Sequence, residues 1–70
     1  MIKPTIFDLM YRHHLSIHQV ATAAQITEHV AWSAFLNAPI QKSYAEAILR
    51  GISQLTRQEY TLDNVEVPVR

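Results

Sequence analysis

The side chains with most chemistry to offer are four histidines, at positions 13, 14, 18 and 29. His14 and His18 have the i, i+4 spacing at which two imidazoles on one helix can ligate zinc. The Leu15-Ser16 step between them reads as a junction between helices, so the rings are not expected on one face. No cysteine or neighbouring carboxylate completes a ligand set. Basic rings at the end of a first helix, facing the negative end of its dipole, are the ordinary reading. Asp8, Ser16 and His18 have the residue types of a triad without a spacing that assembles one. A glycine-rich phosphate loop, a thiol nucleophile and a paired-carboxylate motif are all missing, and one domain of 70 residues hardly encloses a pocket. The sequence points away from an enzyme and predicts neither metal nor cofactor.

What remains is a set of polar and aromatic side chains that contact rather than react, and these need helices to hold them. Thr5 with Asp8 three residues on predicts a first helix over about 5–13, with Ile6, Leu9, Met10 and His13 at helical spacing. Ser16 with Gln19 has capping-box spacing and opens a second over 16–24, with Ile17, Val20, Ala21 and Ala24 on one face. Thr27 caps a third over 27–36, where Val30, Ala31, Ala34 and Phe35 form the inward stripe and Asn37 can take the left-handed conformation that ends it. Ala38-Pro39 breaks the run. The fourth, over 42–56, starts from Gln41 or from Ser43, which has Glu46 at capping-box spacing; its stripe is Tyr44, Ala47, Ile48, Gly51, Ile52 and Leu55. Beyond it Tyr60, Leu62, Val65, Val67 and Val69 form a short extended tail over 58–70. This tail either docks Tyr60 and Leu62 on the fourth helix or pairs as a strand across a dimer; Pro68 would confine such a strand to an edge. The fold class expected is all-α, a single domain of four to five helices.

Two short helices that cross steeply need small or compact apolar side chains where they meet. Val20, Ala21, Ala24, Ile26, Ala31 and Ala34 supply them. On these residues, and on the ungapped stretch from Ile26 through Thr27, Glu28, His29, Trp32, Ser33 and Asn37 to Ile40, the chain resembles the Xre/Cro/C1-type helix-turn-helix family over roughly Thr5–Leu55. The resemblance implies a lambda-repressor-like domain whose third helix enters the major groove of double-stranded DNA. It places Glu28, His29, Trp32 and Ser33 toward base edges. Ser16, Thr27, Lys42 and Ser43 become phosphate contacts, since helix N-termini and cations suit phosphate oxygens. Gln25 stands where many members have glycine; a left-handed non-glycine residue costs roughly 1–2 kcal/mol, which leaves open a different turn geometry. Ile17 replaces a frequent phosphate-binding glutamine, and the third helix has neither Lys nor Arg.

Charge bears on the partner. Six Lys and Arg balance six Asp and Glu, whereas phosphate neutralisation supplies much of the affinity for DNA. Residues 1–57 nevertheless hold five cations (Lys3, Arg12, Lys42, Arg50, Arg57) against three carboxylates (Asp8, Glu28, Glu46), a net +2. A transcriptional regulator acting as a homodimer on half-sites about 34 Å apart is the first expectation. The alternative is an accessory or antirepressor protein that uses the same scaffold, and Trp32 in particular, to bind another protein. No apolar run suggests a leader or a membrane span, and the absence of cysteine suits a reducing compartment, so a cytoplasmic location is expected.

Overall fold

The first three helices are each opened by a hydroxyl that satisfies a first-turn amide. In the computed structural model, which describes residues 2–70, Thr5 caps α1 (Ile6–Arg12), and its hydroxyl accepts from the Asp8 amide while the Asp8 carboxylate accepts from the Thr5 amide. Ser16 and Gln19 repeat this reciprocal box at the start of α2 (Ile17–Ala24). Thr27 caps α3 (Glu28–Phe35) through the Val30 amide. The fourth helix, α4 (Lys42–Thr56), differs: Gln41 is the cap residue and gives no side-chain bond. The expected Ser43–Glu46 box does not form, because Ser43 already lies inside the first turn.

All four helices end near a left-handed residue that is not glycine, Arg57 (φ 58°) closing α4, and the first three share one bonding pattern. At His14 (φ 55°), Gln25 (φ 59°) and Asn37 (φ 64°) the chain reverses, and the next amide donates back across the turn: Leu15 to Met10 (2.9 Å), Ile26 to Ala21 (3.0 Å), Ala38 to Ser33 (2.9 Å). These bonds are those of the Schellman motif, which occupies carbonyls the helix would otherwise leave open. The glycine-like geometry is therefore present at Gln25 in spite of its side chain.

The four helices enclose one core built from Ile6, Leu9, Met10, Val20, Ala34, Ala45, Ile48, Leu49 and Ile52, joined by Ile40 and Val65. The stripe of α4 is rotated from the expected one. Ala45, Ile48, Leu49 and Ile52 point inward, whereas Tyr44 and Leu55 are exposed at its margins. Gly51 faces α2, and a Cβ added there would lie 2.9 Å from the Ala24 amide nitrogen. The missing side chain is what lets the two backbones approach.

No strand occurs among the described residues, and the tail is an irregular strap. Val65 is its buried anchor, more so than Tyr60 and Leu62, which are half-buried. The Glu66 amide donates to the Pro4 carbonyl (2.8 Å), the Ile40 amide to the Pro68 carbonyl (3.1 Å), and the Arg70 amide to the Ile40 carbonyl (3.0 Å). These groups are used within the chain, tying the approach to α1 and the α3–α4 loop to the tail. Of the two readings of the tail, docking within the chain is the one seen here. His13 joins this arrangement through a 2.9 Å hydrogen bond to the Tyr60 hydroxyl.

Candidate nucleic-acid interface

The α2–α3 pair is a helix-turn-helix unit set on the α4 scaffold. Val20 and Ala21 of α2 and Ala31 and Ala34 of α3 are buried. With those positions inside, the outer side of α3 carries Glu28, His29 and Trp32, all exposed, and Ser33, half-buried. The Ser33 hydroxyl donates to the His29 carbonyl one turn back (3.2 Å), leaving its lone pairs for an outside donor.

The beginnings of α2 and α3 meet at an exposed pair, His18 Nδ1 and Glu28 Oε2, 3.0 Å apart. Glu28 is therefore held by a neighbour rather than standing alone. Ser16 and Thr27 sit at these two helix starts, where each hydroxyl oxygen serves its own helix. The remaining first-turn amides of Ile17, His18, Glu28 and His29 have no hydrogen-bond acceptor among the described residues. Two sets of free amides beside two positive dipole ends suit an anionic oxygen.

Lys42 and Ser43 are exposed at the start of α4 but belong to another neighbourhood. Lys42 lines clefts with Tyr60–Asp63 on one side and with Lys3 and the tail on the other, and neither cleft includes a residue of α2 or α3. The eight candidate contact residues thus divide into six around α2 and α3 and two beyond the α3–α4 loop. Two further residues join them that the sequence did not single out for this surface. His18 pairs with Glu28, a contact ten residues long that depends on the turn between the helices. Arg50, on α4, borders the cleft formed by Ala23, Ala24 and Gln25, bringing a cation beside the turn itself. Nothing in the spacing of Arg50 announces this; it follows from the close α2–α4 approach at Gly51.

From residue 13 to residue 41 the chain contains no Lys or Arg, and its one full charge there is Glu28. Among the described residues no three His, Asp or Glu side chains converge as a metal site would require, and no helix is long and apolar enough to cross a membrane. Comparison with known protein families, curated proteins and solved structures yields no match.

Proposed function

We propose that this chain is a sequence-specific, double-stranded DNA-binding regulator, acting as a homodimer in the cytoplasm, with α3 as its recognition helix. The observation that carries the proposal is the pairing of α2 and α3: two eight-residue helices whose starts meet at His18 and Glu28 and whose outer side presents polar groups. His29, Glu28 and Ser33 face base edges, where an imidazole, a carboxylate and a hydroxyl each match a donor or acceptor of the major groove. Trp32 borders that set. Ser16 and Thr27, with the free amides beside them, meet phosphates, and Lys42 and Ser43 meet the DNA backbone farther along.

Fluorescence anisotropy of the full chain on a pool of random duplexes, followed through a salt series, tests this. Binding should appear at low salt and weaken as salt rises, with a shallow slope because few cations release counterions. His29→Ala should alter the sequences selected, while Lys42→Ala should weaken binding to all sequences alike. Absence of binding at low salt would overturn the proposal.

The absence of Lys and Arg from 13 to 41, together with the exposed Trp32, favours a second reading, in which the same scaffold binds another protein. That reading predicts no retention on DNA and a loss of partner binding on Trp32→Ala.

A further inference from the structure

One side of the molecule carries an aromatic row that touches the core through Phe35 and otherwise lies outside it. The Tyr11 ring stacks on Phe7 (centroids 6.2 Å apart), Phe7 tilts against Phe35 (5.0 Å), and Phe35 stands nearly perpendicular to Trp32 (5.5 Å). The row runs across α1 and α3, and Leu36 lies one helical turn beyond Trp32. Much of it meets solvent: Phe7 is 45% exposed, Tyr11 76%, Trp32 48% and Leu36 69%. At about 150–250 Å² for each large side chain, these four present on the order of 500 Å². A patch of that size is at the upper end of what a monomer leaves uncovered.

We infer that this face is where a second copy of the chain docks, with the two α1 helices antiparallel about a twofold axis. Charge selects this occupant. Asp8 and Arg12 are both exposed, stand four residues apart on the flank of the Phe7–Tyr11 row, and form no ion pair within the chain among the described residues. A twofold that reverses α1 keeps each flank on its own side, so Asp8 of one copy lies opposite Arg12 of the other, twice. The surface is complementary to itself, as an isologous interface requires. Area agrees: two such faces bury on the order of 1,000 Å², the lower limit for a specific interface, which points to reversible association. Around α3, Trp32 and Leu36 lie between Glu28 and His29 at helical spacing, so this dimer covers the side of α3 offered to DNA and is a DNA-free form. This dimer does not depend on DNA binding and stands if that proposal fails.

Sedimentation of the full chain over a concentration series tests the inference, with the emission of Trp32, the only tryptophan, as a second readout. A monomer–dimer equilibrium is expected, with emission moving to the blue as dimer forms. Tyr11→Glu and, independently, Leu36→Lys should each weaken association at least tenfold while the far-ultraviolet circular dichroism is kept. Arg12→Asp and Asp8→Arg should each associate poorly alone, because like charges then face each other, and an equimolar mixture of the two should recover the dimer. A wild-type chain that stays monomeric at the highest concentration, a dimer indifferent to both Tyr11→Glu and Leu36→Lys, or a mixture that fails to recover would overturn it.

Discussion

The α2–α4 seam and the α1–α3 aromatic face are both helix pairs rich in apolar residues, yet they are built on opposite terms. At the seam the side chains are small: Ala23 and Ala24 meet Gly51, and backbone approaches backbone closely enough that a methyl group has no room. On the aromatic face the side chains are large, and Phe7, Tyr11 and Trp32 keep much of their surface in water. A seam closed by backbone contact is complete within one molecule. The outer face is packed ring against ring within its own layer and stays open to solvent, so its large rings contribute to one chain only part of what they can contribute to two. Stability and association should therefore separate between these regions.

The seam should give the largest response. Replacing a helical glycine by alanine ordinarily favours the helix by about 1 kcal/mol. At Gly51 the new Cβ would lie 2.9 Å from the Ala24 nitrogen and 3.1 Å from the Ala23 carbonyl carbon, and these are backbone atoms that cannot swing aside. Overpacking of this kind costs about 1–3 kcal/mol. We expect Gly51→Ala to be destabilising by roughly 1 kcal/mol net, visible as a melting temperature lower by about 4–8 °C. An unchanged or higher melting temperature would mean that α2 can slide off α4, and the contrast between the two regions would collapse.

The turn next to that seam should respond in the other direction. Gln25 holds φ 59° and ψ 45° with a side chain present. Glycine removes a left-handed penalty of about 1–2 kcal/mol and adds about 0.5–1 kcal/mol of unfolded-chain entropy. Gln25→Gly should therefore stabilise the fold by roughly 0.5–1 kcal/mol, measurable by urea unfolding. A loss of stability would indicate that the Gln25 side chain contributes a contact to the turn.

These regions differ as much in how far the sequence alone discloses them. Caps are local: Thr5 with Asp8, Ser16 with Gln19, and Thr27 each act within one turn, so residue type and spacing were enough to place three helix starts. The phase of α4 was not legible, because Ile48 and Ile52 belong equally to a stripe with Tyr44 and Leu55 and to one with Ala45 and Leu49. Only the position of α2 against Gly51 decides between them. The exposed side of α3 was legible from its alanines, which fix the opposite face. The His18–Glu28 pair, the nearness of Arg50 to the turn and the tilted contact of Phe7 with Phe35 were not, since each joins different helices. The tail was read half correctly: its apolar residues dock, but the deep anchor is Val65, and its backbone partners are Pro4 and Ile40, which no local pattern connects.

The smallest effect belongs on the outer face, and its smallness carries the information. Tyr11 is 76% exposed, its ring touches the chain mainly through Phe7, and its hydroxyl has no hydrogen-bond partner among the described residues. Truncation to alanine removes little buried area from the monomer, so Tyr11→Ala should alter folding stability by no more than about 0.5 kcal/mol. Measured at a concentration where the chain is monomeric, this would place Tyr11 outside the energetics of the fold even though it is one of its largest apolar side chains. A loss above about 1 kcal/mol would mean that the Phe7 stack supports α1 from outside, as cross-ring pairs can. The aromatic face would then belong to the core, and the two regions would differ in residue size alone.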